Sequence, residues 1–337
     1  MDTLSQIVLG TTVSLLVTRG RHPKKAIIYG AALGTLPDLD VLMLSANDLA
    51  ATIEHRTWSH SWVVASLASP LIALGIRWKE KCFSYLRWLA LVWLTLITHS
   101  ALDAFTIYGT DIFWPISSQT IMGASVFIID PLFTLPLLIA TTLAMGREKT
   151  AAAVFQQTTL AVILSTSYLI WGLYAQNRVQ TIATQSLQTQ SLVHQQLIAT
   201  PTPFNSILWR VLAMGKNQYH EGYYSLLDKN PVIKFQTHNR NREIIELLEP
   251  EANWQQFNHF AHGYTKAEKE GRNLIAVDLR MGADNLFFFR FLFGTTGNEE
   301  QNHGMTPTTP SRLAMNLEDF GLLKHVWHRI WSEDDIP

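Results

Sequence analysis

The sequence holds a single cysteine, Cys82, in 337 residues, which excludes an internal disulfide and any thiolate-rich metal site. Charge is scarce as well. Only 16% of residues are Asp, Glu, Lys or Arg, against roughly a quarter in an ordinary soluble protein. A formal net charge of −1 gives no electrostatic reason to bind nucleic acid, so none is expected as a partner. No internal repeat is visible. Asp2 precedes the first apolar run, where a cleaved secretory signal carries positive charge, so a retained membrane segment is expected.

Apolar residues make up 47% of the chain and are unevenly spread. Six apolar stretches fill the first half, at Leu4–Thr18, Ala26–Leu44, Trp62–Trp78, Leu86–Phe105, Ile121–Met145 and Ala151–Tyr174. Crossing a bilayer takes about 20 helical residues. Residues 1–175 are therefore expected to form an α-helical membrane bundle of about six helices. The first stretch is short, and Asp130-Pro131 and Pro136 interrupt the fifth. Positive charges cluster at Arg19, Arg21, Lys24 and Lys25, at Arg77, Lys79, Lys81 and Arg87, and at Arg147 and Lys149. By the positive-inside rule these three loops face the cytoplasm, and the alternate loops and the C-terminal half face outward.

Residues 176–337 read as a small soluble α+β domain with an antiparallel sheet. Gln176–Thr200 continues the last helix as a polar helix ended by Pro201 and Pro203. Strands are expected at Ile207–Met214, Tyr219–Leu227, Val232–Gln236, Phe257–Tyr264, Leu274–Leu279 and Asn285–Phe293, separated by turn formers. Helices are expected at Arg240–Leu248 and Leu317–Trp331, and a loop over Gly294–Pro310.

Twelve histidines supply imidazole ligands where thiolates are missing. Three polar motifs interrupt the apolar half at one expected depth and on one side. They are Leu36-Pro37-Asp38-Leu39-Asp40, His55-Arg56-Thr57-Trp58-Ser59-His60-Ser61, and His99-Ser100-Ala101-Leu102-Asp103. His99 and Asp103 are four apart and share a helix face. Pro37 bends or ends its helix, so Asp38 and Asp40 can be presented together. His55 and His60 are five apart and converge only across a turn into the next helix, with Ser59 as its N-cap. A carboxylate near the membrane centre costs about 2.5–3.5 kcal/mol on insertion scales. Three carboxylates together also repel one another, and a divalent cation resolves both problems. The expected metal ligands are thus Asp38, Asp40, His55, His60, His99 and Asp103. Asp38 and Asp40 are also candidates for catalysis, and Arg56 for neutralising charge or holding an anionic group. Asp130 is either a second-layer partner of a ligating histidine or a satisfied helix-break residue. The remaining histidines, His259 and His262 included, lack metal spacing.

Met1-Asp2-Thr3-Leu4-Ser5-Gln6, Gly34-Thr35-Leu36-Pro37-Asp38-Leu39-Asp40, His55-Arg56-x-x-Ser59-His60-Ser61, His99-x-x-x-Asp103 and Ile129-Asp130-Pro131 together resemble the bacterial inner-membrane metal-dependent hydrolases, the YdjM-like proteins. The resemblance covers about the first 145 residues. It implies a multi-pass protein of the bacterial inner membrane with hydrolytic activity. Family members often carry His where this chain has Gln6, a poorer ligand. A remote likeness to zinc-dependent phospholipase C and P1-type nucleases rests on the His-x-x-x-Asp pair and is an analogy.

The expectation is a membrane-bound hydrolase holding one or two divalent ions, zinc first. It would act on an ester or phosphodiester of a membrane lipid or other amphiphile at the outer, periplasmic boundary. The alternative is a non-enzymatic membrane scaffold with a structural metal site and a partner-binding C-terminal domain. A transporter would need ionisable groups through the whole bilayer depth, whereas here they gather at one end.

Overall fold

The computed structural model describes residues 1–146, 150–283, 286–296, 305–314 and 327–333. Arg147, Lys149 and the expected helix Leu317–Trp331 up to position 326 lie outside the described residues. The chain divides into two compact units. One comprises Met1–Met43, His55–Tyr174 and Pro203–Asn205; the other comprises Leu44–Glu54, Ala175–Thr202 and Ser206–Pro337.

The first unit is helical. Its helices are α1 (Thr3–Val17) and α2 (Pro23–Thr35), then, after a helix α3 (Asp48–Glu54) that belongs to the other unit, α4 (Trp62–Lys79), α5 (Tyr85–Ala104), α6 (Pro131–Ala144) and the first part of α7 (Ala151–Thr189). Side chains stop the helices' orphan N–H groups: Asp2 caps α1, Ser61 caps α4, Ser84 caps α5 and Asp130 caps α6. Apolar packing joins them. Leu33, Ala65, Ala73, Trp88, Leu91, Val92 and Leu96 form one core, and Val8, Leu102, Phe133, Leu137 and Ala161 contribute to another.

The expected count of about six membrane crossings is corrected. Among the described residues two helices, α5 and α7, are long and apolar enough to cross, or up to three if α4 and the bent segment before it form one span. At 1.5 Å per residue, the 15-residue α1 reaches about 22 Å and the 14-residue α6 about 21 Å, short of a core of about 30 Å. The apolar runs overstate the helices because they include non-helical chain. Pro37 ends the second run as a helix, and a 3₁₀ turn, Pro37–Leu42, follows. The fifth run becomes helical only where Asp130 caps Pro131. Only 28% of the most apolar window of α7 is buried, and Leu160, Ile163, Leu164 and Ile170 are exposed, as a lipid-facing helix requires.

The second unit contains two four-stranded antiparallel sheets and a two-stranded hairpin among its described residues. The first sheet is β1 (Gln196–Pro201), β2 (Leu208–Met214), β3 (Gln218–Ser225) and β4 (Phe235–Asn239) in sequential order. The helices α8 (Arg242–Leu248) and α9 (Ala252–Phe260) follow. Next come β5 (Thr265–Glu270), β6 (Asn273–Asp278), the hairpin β7 (Gly282–Ala283) and β8 (Leu286–Phe287), then β9 (Arg290–Thr296) and β10 (Met305–Arg312). The second sheet runs β10-β9-β6-β5.

Several expectations fail here for identifiable reasons. Gln196–Pro201 is a strand, because the helix stops at Thr189 and the chain turns back to pair with β2. Phe257 is on α9 and packs its ring 5.7 Å from those of Phe291 and Phe293, so Phe257–Tyr264 is a helix end and turn. The strand is the charged Thr265–Glu270, whose Glu268 pairs with Lys266 and Arg290. Met305–Arg312 also forms a strand within the expected loop, with a bulge between Pro307 and Ser311. The tail of α7 is not merely polar: Ala175, Val179, Ile182 and Ala183 pack against Trp209, Val211 and Tyr224 of the first sheet.

Candidate metal centre

The centre is assembled by a close backbone contact. Gly30 and Gly34 are four apart on α2, the spacing at which small residues let membrane helices approach. A Cβ on Gly30 would lie 2.5 Å from the Gly10 carbonyl oxygen, and one on Gly34 would lie 2.6 Å from that of Gln6. With α2 held there, the Gly34 carbonyl accepts a hydrogen bond from His99 Nδ1 at 2.8 Å. Gln6 Nε2 donates to the His99 carbonyl at 3.3 Å. Just beyond α2, the 3₁₀ turn presents Asp38 and Asp40.

Asp40 then gathers the next motif. Its carboxylate lies 2.8 Å from His55 Nδ1 and accepts from the Arg56 backbone N–H at 3.2 Å and from Ser59 Oγ at 2.5 Å. Arg56 takes a left-handed conformation, φ 68°, and Trp58–His60 closes as a 3₁₀ turn. The convergence of this motif does require a turn. Its N-cap, however, is Ser61, which accepts from Val63 and Val64, because Ser59 is engaged by Asp40.

Four side chains converge. His60 Nε2 lies 3.1 Å from His99 Nε2, 3.3 Å from Asp38 Oδ1 and 3.1 Å from Asp103 Oδ2. His99 Nε2 lies 3.4 Å from each of the same two oxygens. Each of the four residues offers a donor atom within 4.8 Å of those of the other three. Zinc–nitrogen and zinc–oxygen bonds of about 2.0–2.1 Å give tetrahedral edges of about 3.3–3.4 Å. The five separations that involve His60 or His99, 3.1–3.4 Å, are close to those edges.

Hydrogen-bond accounting explains why a cation fits. A carbonyl only accepts, so in neutral His99 the proton sits on Nδ1 and the Nε2 lone pair is free. Ser59 gives its hydrogen to Asp40, so at 2.9 Å His60 Nδ1 must donate to Ser59 Oγ. That frees the His60 Nε2 lone pair too. Asp103 turns Oδ1 toward the Met1 amino group and Arg56 Nη2, the latter at 3.3 Å. Its Oδ2 is buried with no hydrogen-bond partner among the described residues. Two imidazole lone pairs and two carboxylate oxygens therefore face one point. This buried Asp-His-His-Asp group could hold a metal ion.

Two of the six expected ligands stand outside the group. Asp40 and His55 pair with each other and, through Ser59 and Arg56, hold the turn that carries His60. Arg56 is buried. It donates to Thr106 Oγ1 at 3.0 Å, and its guanidinium sits 4.7 Å from the Tyr108 ring centroid. Its Nε has no hydrogen-bond partner among the described residues. Asp130 accepts from Leu132 and Phe133 backbone N–H groups and from the Tyr168 hydroxyl, so it is a satisfied cap. Sequence reasoning quoted Gly34 only within the family motif, missing its contact with His99, and read Ser59 as an N-cap, missing its contacts with Asp40 and His60. The four-residue spacing of Gly30 and Gly34 was the legible signal for the first; nothing in the sequence pointed to the second.

No curated protein and no solved structure matches the chain. The family model of the YdjM inner membrane protein matches residues 1–179, more than half the chain and all four converging residues, and the chain belongs to that family.

Proposed function

We propose that this membrane protein is a metal-dependent hydrolase of a lipid-like ester or phosphodiester, working where the bilayer meets water. The observation that carries the reading is the one-sided exposure of the four-residue group. The side chains of His60, His99 and Asp103 are at most 1% exposed, whereas that of Asp38 is 19% exposed. Around Asp38 in the chain, Leu36, Leu39, Val41, Leu42 and Met43 are exposed apolar residues, as is Trp58. A head group reaching Asp38 crosses that apolar lip, which suits an amphiphile better than a freely soluble substrate.

Zinc is the first choice for two imidazoles and two carboxylates, as one ion or two. When bound, it supplies Lewis acidity toward an ester or phosphoryl oxygen. The chain's own residues do the rest. Arg56 has an unused Nε donor for an anionic oxygen, and Asp38 is the ligand best placed to yield to substrate or hold a proton. In this reading α5 and α7 both run outward from their positively charged starts, in a multi-pass inner-membrane topology. In the same reading the C-terminal half lies on the periplasmic side, because it follows the outward end of the α7 span.

The test is purified protein in detergent with zinc added, offered chromogenic phosphodiester and ester lipids in mixed micelles. Turnover that disappears in His99→Ala/Asp103→Ala supports the reading; no turnover by zinc-loaded wild type on either class rejects it. One observation favours a second reading. Four protein donors converge, and four protein ligands on one zinc would leave no open position, the signature of a structural site. A scaffold of that kind binds zinc and melts higher with it, yet hydrolyses nothing.

A further inference from the structure

Ser59 and Asp40 touch none of the converging lone pairs, yet together they fix which nitrogen of His60 carries the proton. The serine hydroxyl has one hydrogen. Asp40 Oδ2, at 2.5 Å, has none to give and takes it. The oxygen left behind can only accept, so His60 Nδ1 at 2.9 Å donates to it. The direct route from Asp40 to His60 Nδ1 is too long for a hydrogen bond, at 3.9 Å. His99 needs no such chain, because the Gly34 carbonyl at 2.8 Å does the same work.

We infer that Asp40 and Ser59 form a positioning relay, Asp40–Ser59–His60, that holds His60 in the tautomer whose Nε2 can ligate a divalent cation. The inference rests on the metal reading above and adds two positioning residues to it. Remove the Ser59 hydroxyl and His60 Nδ1 loses its acceptor; the ring can then rotate or place its proton on Nε2, where it blocks coordination. Hydrogen-bond partners of this kind change metal affinity by roughly 10–100-fold when lost.

The experiment is competitive zinc titration of the full chain in detergent against a chromophoric chelator. The proteins are wild type, Ser59→Ala, Ser59→Thr and Asp40→Asn, with metal-free melting temperatures measured alongside. Ser59→Ala should bind zinc roughly 10–100-fold more weakly while its metal-free melting temperature stays near wild type. Ser59→Thr, which keeps the hydroxyl, should recover most of that loss. Asp40→Asn, which offers the serine only a neutral acceptor, should weaken zinc in the same direction. If wild type binds zinc and Ser59→Ala binds it equally well, the relay is wrong and the metal centre survives. A loss that Ser59→Thr does not recover also overturns the relay. Wild type that binds no zinc removes the relay and the metal reading together. If Ser59→Ala does not fold, the Asp40→Asn titration decides: unchanged affinity there rejects the relay.

Discussion

The carbonyl oxygen of Gly34 accepts the Nδ1–H of His99 at 2.8 Å, tying the end of one helix to the imidazole of another. That single bond sets the tautomer of His99 and aims its Nε2 at His60, 3.1 Å away. It exists because Gly30 and Gly34 let α2 sit backbone to backbone on α1.

Gly34→Ala should therefore damage the centre without touching a ligand. The added Cβ would lie 2.6 Å from the Gln6 carbonyl oxygen, and α2 must move to accommodate it. Overpacking of this kind costs about 1–3 kcal/mol. Thermal melting in detergent should fall, and zinc affinity with it. Gly75→Ala is the control, since a Cβ there meets nothing within 4 Å. It should leave melting unchanged or slightly raised, because alanine favours a helix by up to about 1 kcal/mol. Equal effects of the two changes would discount the close-packing argument.

Zinc should stabilise the folded chain, since four lone-pair atoms converge only in that state. Free zinc at 100 times its dissociation constant contributes about 2.7 kcal/mol. Wild type should thus melt higher with zinc than with chelator. His99→Ala/Asp103→Ala should show no zinc-dependent shift and carry no more metal than a zinc-free blank by elemental analysis. A shift of equal size in both proteins would place the metal elsewhere.

The four converging residues were legible because burying ionisable groups is costly, so Asp38, His60, His99 and Asp103 stand out in an apolar sequence. The division between converging group and support was not. Asp40 and His55 have the same chemistry as the four converging residues, and only the left-handed Arg56 and the turn after it direct them toward each other. Hydropathy found the apolar half but overcounted crossings, because it cannot see that Pro37 and Asp130 cut two runs short. In the second unit, β5 alternates charge that is paired across strands, as in Glu268 with Arg290, so no apolar period marks it.

Asp130 should matter for the helix and not for the metal. It accepts two backbone N–H groups at the start of α6 and the Tyr168 hydroxyl at 2.7 Å. Asp130→Ala should cost about 1–2 kcal/mol as a lost cap, seen as a lower melting temperature. Zinc content per chain should stay at the wild-type level. A drop in metal at preserved folding would move Asp130 into the centre.

The second unit should have its own acid sensitivity, set by Glu221. Arg210 Nε donates to its carboxylate at 2.5 Å and the Tyr223 hydroxyl at 3.0 Å, all three being buried. Burial opposes ionisation of Glu221, but the Arg210 guanidinium outweighs it and holds the carboxyl below its ordinary value. A depressed carboxyl contributes stability that is complete above the unfolded value of about 4.3 and lost as pH falls from there through the folded one. Glu221→Gln leaves Arg210 buried without its counter-charge, a cost of about 3–5 kcal/mol near neutrality. Melting wild type and Glu221→Gln from pH 7 downward should show a wide gap that begins to narrow below about pH 4.3, where the carboxyl of the unfolded chain takes up its proton, and that closes only as the lower-lying folded carboxyl is protonated too. A gap that stays constant across that range would mean that Glu221 acts through packing and not through its charge.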